Sequence, residues 1–355
     1  MRMKSLHLIG LIALAIAPMY GQPINGPIYW SPVATPPDCS DLNYPQPVAI
    51  TNASGTTIGY SCYVSGTFVW FASGGMWGTT IRVAAPATNP IGVGYTFYDT
   101  TGAALNLDTT VNNSSSSLTS ANEVDFALAA NQPTELELLG ATSAAPKYSS
   151  TATGSVYAQF YCPDEVTCEA VLPQLLYSAL PADPWLVSVP MVFDGYASTT
   201  WSAVGINDST HVMSLVICNE DVSATTYNVY VYDSSTGALV ATGTTPSVPP
   251  EPLLADGSYG EGGTYGALLS DIKFSAPLPT GVIKVLIDGG TLYSGVVMLQ
   301  VTGLPGGTQT AATSLQVAYD SSPTTATSAV PIRRKSARRF RVPPTPKTVF
   351  PALPK

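Results

Sequence analysis

Histidine is almost missing from this chain, with two residues in 355, and one of them, His7, lies in an apolar N-terminal stretch. His211 is the only imidazole in the remainder, and Asp208-Ser-Thr210 before it forms no nucleophile elbow, so a triad built on a histidine base has no support. Zinc ligation of the usual His and paired Cys-x-x-Cys kind is lacking too, and no metal is expected. Charged side chains make up only 10% of the residues. There is no phosphate-binding loop or dinucleotide fingerprint, and hence no cofactor is expected. After residue 22 no run is long and apolar enough to span a bilayer, which leaves the mature chain without a predicted transmembrane segment. Helical periodicity is equally scarce: only Glu169 to Leu180 carries it, and Pro173 limits that stretch to a turn or two.

Short β-type runs take the place of helices, and they recur. Val93-Gly-Tyr-Thr-Phe-Tyr-Asp99 returns as Tyr227-Asn-Val-Tyr-Val-Tyr-Asp233. Leu138-Leu139 is matched by Leu268-Leu269, the run opened by Gly154 by the run opened by Gly281, and Val189 to Asp194 by Leu315 to Asp320. The order is kept, and the spacing nearly so: 55 residues separate Asp99 from Gly154 and 48 separate Asp233 from Gly281. A unit of this length points to duplicated domains and not to a solenoid, whose repeats run about 20 to 50 residues. Asp99-Thr-Thr-Gly102 and Asp233-Ser-Ser-Thr-Gly237 read as matching turns, because Asp bonds nearby amides and Gly accepts positive φ. The predicted organisation is a signal peptide over 1–21, a Pro-rich lead-in over 22–65, a first β-sandwich repeat over 66–197, a second over 198–322, and a disordered basic tail over 323–355.

The N-terminus has the form of a secretion signal: Arg2 and Lys4 supply charge, and Leu6 to Ala17 an apolar stretch too short to cross a bilayer comfortably. The expected setting is therefore secreted, periplasmic or cell-surface, where disulfides persist. Five cysteines suit that setting. Cys39 with Cys62 and Cys162 with Cys168 are the expected pairs, leaving Cys218 either as a buried strand cysteine or as an intermolecular link.

Charge is segregated. All 23 acidic residues lie between Asp38 and Asp320, where Arg82, Lys147, Lys273 and Lys284 are the only bases. The C-terminal tail carries Arg333, Arg334, Lys335, Arg338, Arg339, Arg341, Lys347 and Lys355 with no acid, spaced by prolines that prevent a regular helix. Such a tail either binds an anionic surface component or folds back on its own acidic body. Export makes nucleic acid an unexpected partner.

Strand alternation sets Tyr95 and Phe97 against Thr96 and Tyr98, and Tyr227, Val229 and Val231 against Asn228, Tyr230 and Tyr232. Tyr98, Tyr230 and Tyr232 are thus the candidate binding residues, since aromatic faces stack on sugar rings; structural cross-strand packing is the competing use. The carboxylate pairs Glu135 with Glu137 and Asp164 with Glu165 match the minimum for glycoside hydrolysis, but such pairs arise without purpose in a body this acidic. Asp256 to Glu261 reads as a flexible turn, as its spacing departs from a calcium loop.

The signal peptide, the twice-written tyrosine strand ending in Asp99 and Asp233, and the Gly154 and Gly281 strands together resemble uncharacterised exported bacterial proteins with tandem immunoglobulin-like sandwich repeats. The resemblance covers roughly residues 67–322. It implies an all-β fold of two tandem immunoglobulin-like β-sandwich domains in an extracytoplasmic setting, and carries over no site residues. Cys218 and the basic tail stand outside it. The expected function is an exported, non-enzymatic module that binds a surface or matrix component such as a polysaccharide; the alternative is a carbohydrate-binding module or glycan-acting hydrolase. Pro18 directly after Ala17 disfavours cleavage there, so N-terminal sequencing of the exported protein is expected to begin at Gln22; a start still at Met1 would instead mark an uncleaved anchor.

Overall fold

Runs rich in Val, Ile, Thr, Tyr and Phe, punctuated by Gly, Pro and Asp turns, favour pleated strands over helices, and strands make up nearly all the regular structure. The structure is a computed structural model that describes residues 32–40, 42, 46–51, 56–74, 77–86, 89–112, 119–141, 151–179, 187–193, 198–252, 260–289, 294–302, 311–315 and 317–319. The expected leader and the basic tail, with Arg333, Arg334, Lys335, Arg338, Arg339 and Arg341, lie outside these residues. The chain is all-β, with four antiparallel sheets and one short helix among the described residues.

The N-terminal part contains β1 (Val48–Thr51), β2 (Thr57–Ser73), β3 (Trp77–Ala84), β4 (Ile91–Asp99), β5 (Leu107–Val111), β6 (Thr119–Ala121), β7 (Glu123–Leu128), β8 (Pro133–Ala141), β9 (Ala152–Cys162), β10 (Gln174–Ala179), β11 (Val187–Val189) and β12 (Val192–Phe193). One sheet runs β1-β2-β9-β4-β7 with β12 also on β2, and the other runs β11-β10-β3-β8-β5-β6. Phe68, Val93, Tyr95, Phe97 and Phe160 of the first meet Ile81, Val83, Leu136, Leu138 and Leu175 of the second in one core.

The C-terminal part contains β13 (Thr200–Asn207), β14 (His211–Asn219), β15 (Asn228–Asp233), β16 (Leu239–Thr244), β17 (Thr264–Leu268), β18 (Gly281–Asp288), β19 (Ser294–Thr302), β20 (Ala311–Ser314) and β21 (Ala318–Tyr319). Its sheets run β16-β15-β18-β13-β21 and β17-β14-β19-β20. Trp201, Val229, Val231, Val285 and Ile287 face Met213, Leu215, Ile217, Val296 and Met298 in a second core.

Connectivity is the same in both parts. The path β12-β2-β9-β4 has the chain order of β21-β13-β18-β15, and β11-β10-β3-β8 that of β20-β19-β14-β17. The first part adds β1, β5 and β6. The tyrosine strands β4 and β15 hold corresponding places, and both Asp turns form as read. Asp99 Oδ1 accepts from Thr101 N at 2.8 Å and Ala103 N at 3.1 Å, with Gly102 at φ 84°. Asp233 Oδ1 accepts from Ser235 N at 2.8 Å and Thr236 N at 3.0 Å, with Gly237 at φ 71°. The glycines do not correspond, however: Asp99 pairs with Gly154, whereas Asp233 pairs with Ile283, two residues beyond Gly281. Gly154 serves close approach, since a Cβ there would sit 1.8 Å from the Tyr98 carbonyl oxygen, while Gly281 serves a backbone turn at φ 116°.

Within the span of the lead-in, β1 pairs with the first residues of β2 and Val33 bridges to Tyr60. One further expectation is corrected. The helical turn is Glu165–Glu169, N-capped by Asp164 whose side chain accepts from Thr167 N at 2.8 Å, and Gln174–Ala179 is a strand. Cys39 bonds Cys62 and Cys162 bonds Cys168, with Cα separations of 5.6 and 5.4 Å, and Cys62 and Cys162 face each other across β2 and β9. Both bridges therefore staple the same end of the first core.

The sheet β17-β14-β19-β20 is buried on both faces. Alternate residues of β14 and β19 enter different cores: Met213, Leu215, Ile217, Val296 and Met298 point into the second, and Val216, Cys218, Val297 and Leu299 into the first. Close seating needs small residues, as Cβ atoms at Gly295 and Gly266 would lie 2.6 Å from Val69 Cγ1 and 3.2 Å from Trp70 Cζ3. Two cores that share a sheet are expected to melt together. Gly295→Val should cost about 1 to 3 kcal/mol by overpacking and move a single calorimetric transition as a whole; two transitions of which only one shifts would contradict this.

Candidate functional site

The outward faces of the two tyrosine strands differ in what covers them. On the first sheet, Tyr98 is 3% exposed and Thr96, Tyr157, Gln159 and Tyr161 are also buried. Tyr98 is therefore no surface platform, contrary to its sequence reading. Further along this face, Tyr63 stacks at a tilt on Tyr161 with centroids 5.3 Å apart, the Tyr63 and Tyr157 hydroxyls lie 2.9 Å apart, and Gln159 Nε2 donates to the Tyr63 hydroxyl at 2.9 Å. Val48 and Ile50 of β1 pack over Tyr63 and Tyr161.

Gly94 lies between Asp125 and Gln159 in this face, and a Cβ there would stand 2.7 Å from Asp125 Oδ1. Burial, and then the negative charge of Glu123 on the same strand face, push the Asp125 carboxyl up to about 8. Neither Asp125 nor Gln159 stood out in the sequence. The signal that could have found them is the Gly92-Val-Gly94 alternation, which clears one strand face for a neighbour's polar side chain.

On the second part the corresponding face is open. Tyr230 and Tyr232 are half-buried, opposite Leu286 and Lys284 of β18. Val204 and Val282 are each 54% exposed beside them, and Ile206 and Leu239 are exposed too. The register makes the change specific: where Tyr98 faces Ser155 and Thr96 faces Tyr157, Tyr232 faces Lys284 and Tyr230 faces Leu286. An aromatic pair with an ammonium between Tyr232 and Val204 can stack on an apolar ring face while donating hydrogen bonds to hydroxyl or carboxylate oxygens.

The other polar residues singled out by the sequence have local partners. Glu135 pairs with Arg82 across β8 and β3 at 2.6 Å, both half-exposed, and Glu137 accepts from Thr110 Oγ1 at 3.3 Å. Asp164 caps the helix and also accepts from Asn89 Nδ2 at 3.1 Å. His211 begins β14 at the surface, with Nδ1 3.0 Å from Asp208 Oδ1; hydrogen bonds from the Thr210 amide and other nearby donors hold Asp208 down at about 2. Glu261 departs most from its reading. It is 1% exposed, at the seam between the two parts, and accepts from Thr67 Oγ1 at 2.9 Å; Cys218, buried and outside both disulfides, lies beside it. Compared with known proteins, the chain matches no family model, no curated protein and no solved structure.

The raised Asp125 carboxyl gives a pH signature of definite sign. The unfolded chain loses this proton near the ordinary value of about 3.9, and the folded chain holds it to about 8. Stability contributed by Asp125 is then fully present below about 4 and is lost as pH rises through the window to about 8. Asp125→Asn should remove that decline, read as the difference in Tm between variant and parent across the window. Parallel pH profiles would refute it.

Proposed function

We propose that this chain is an exported, non-enzymatic protein of two tandem β-sandwich repeats that binds a surface or matrix polysaccharide through the open sheet face of its second repeat. The observation that carries the reading is the contrast between corresponding faces, closed over Tyr98 in the first part and open at Tyr230 and Tyr232 in the second. A duplicated unit that keeps its strand order but uncovers one aromatic face has gained a surface that folding alone does not require.

The matched connectivity supports duplication. An immunoglobulin-like reading draws support from its centre, where the second strand pairs with the fifth and the third with the sixth, as β14 with β17 and β15 with β18. The outer positions differ: the first strand β13 lies beside β18, and the seventh strand β19 beside β14. The two disulfides favour an oxidising compartment, which agrees with the leader-like N-terminus. The basic tail adds retention at an anionic surface in this reading, and Glu135 and Asp164, one from each carboxylate pair, hold structural partners.

A glycan array probed with the purified body, beside the Tyr230→Ala and Tyr232→Ala variants, tests the reading. Each variant should lose about tenfold in affinity for the bound glycan, equivalent to about 1.4 kcal/mol, while chromogenic glycosides stay intact. A body that binds no glycan, or binds equally well without both tyrosines, would sink it.

A further inference from the structure

A cluster at the seam between the two parts combines a soft and two hard ligand atoms. Cys218 Sγ and one carboxylate oxygen each of Glu220 and Glu261 all lie within 4.8 Å of one another, with Cys218 and Glu261 buried and Glu220 half-buried. The residues arrive from separate places. Cys218 ends the apolar run of β14, Glu220 follows that strand, and Glu261 comes from the segment leading into β17.

The surroundings form a cradle around Cys218. Its neighbour on one side is Gly295 of β19, where a Cβ would lie 3.5 Å from Glu220 Oε1, and that carboxylate thus stands in contact distance over the strand beside Cys218. Its neighbour on the other side is Thr264 of β17, whose side chain shares the Cys218 face because directly paired residues project together. Thr264 is 6% exposed, and its Oγ1 is buried with no hydrogen-bond partner among the described residues. An orphaned hydroxyl in that position is costly unless something in the cluster takes its lone pair or its proton. The Gly262 carbonyl oxygen, 3.6 Å from Cys218 Sγ, adds another oxygen.

We propose that Cys218, Glu220 and Glu261 bind one borderline divalent cation of the Zn²⁺ type, with Thr264 Oγ1 beside the bound ion. The distances suit such an ion. Zinc bonds of about 2.3 Å to sulfur and about 2.0 Å to oxygen set tetrahedral ligands about 3.5 Å apart, and Cys218 Sγ stands 3.7 Å from Glu261 Oε1. Thiolate ligation selects zinc-like ions over Ca²⁺ and Mg²⁺, which take oxygen alone. Binding displaces the thiol proton to solvent and replaces mutual repulsion of anionic groups with attraction to the cation. The ion would join the end of β14 to the loop before β17, at the point where Thr67 of β2 reaches Glu261 from the first part. It is a structural clamp between the parts, independent of any glycan on the open face.

The test is titration of the untagged, exported chain with Co²⁺, after confirming one free thiol in the unfolded protein. One equivalent should give a thiolate-to-cobalt charge-transfer band with tetrahedral visible bands, should be displaced by Zn²⁺, and should release a proton. Zn²⁺ should raise Tm. Cys218→Ser and Glu261→Gln should each weaken binding by about a hundredfold or more, whereas His211→Ala should leave it unchanged. If the buried variants do not fold, Glu220→Gln, at the half-buried ligand, should weaken cobalt binding while the far-ultraviolet spectrum stays that of the parent. A folded parent with its thiol reduced that shows no cobalt band at millimolar metal overturns the proposal. So does a band that persists in Cys218→Ser, or a Zn²⁺ response unaffected by Glu220→Gln.

Discussion

Burial of both faces of the sheet β17-β14-β19-β20 is the constraint on which the rest of the molecule depends. A sheet that faces water on one side can be written as an alternation of apolar and polar residues, whereas one packed on both sides cannot. His211-Val-Met-Ser-Leu-Val-Ile-Cys-Asn219 and Ser294-Gly-Val-Val-Met-Leu-Gln-Val-Thr302 accordingly read as near-continuous apolar runs, and successive residues enter different cores. The first core is incomplete without Val216, Val297 and Leu299 of the second part. The two parts are thus one packed body, and any polar residue placed on that second face is desolvated by the neighbouring part and not by its own.

This geometry explains why glycines gather at the seam. Gly262, Gly266 and Gly295 stand where a backbone oxygen, a ring atom and a methyl group of another segment come within the reach of a Cβ, at 1.5, 3.2 and 2.6 Å respectively. Gly102 is drawn in as well: its turn sits against the Glu261 carbonyl, and the Thr264 amide donates to the Thr100 carbonyl at 3.0 Å. The first Asp turn therefore does two things, closing its own hairpin and receiving the strand edge of the other part. Its counterpart at Asp233 and Gly237 has nothing within 4 Å of a Cβ and remains a simple surface turn.

Local chemistry was legible in the sequence, and what depends on the meeting of distant segments was not. Both Asp turns, the alternation of Tyr95 and Phe97 against Thr96 and Tyr98, and the pairing of Cys39 with Cys62 and Cys162 with Cys168 rest on neighbours a few to a few tens of residues apart. The Gly154 and Gly281 match failed by two residues because a glycine can answer to close approach or to positive φ, and its letter is the same in both cases. The strand at Gln174–Ala179 was hidden by helical spacing that tertiary pairing with β3 overrode. Glu261, read as part of a flexible turn, is buried at the seam, where Thr67, 194 residues away, donates a hydrogen bond to it. No window along the chain contains that fact.

The same reasoning separates the two tyrosine faces. Alternation assigns Tyr98 and Tyr232 to outward positions equally, and it is right about direction in both. Exposure is a different property, set by what lies above the sheet. In the first part Gly94 lowers the floor of the face between Gln159 and Asp125, and Val48 and Ile50 of β1 pack against Tyr63 and Tyr161. In the second part the residue opposite Tyr232 is Lys284, whose ammonium strongly favours water, and the residue opposite Tyr230 is Leu286. Covering that face with a dry layer would strand the lysine charge unless the layer supplied an anion or several acceptor oxygens. The face is therefore too polar to be sealed by a purely hydrophobic layer, which is why it stays open where its counterpart is buried.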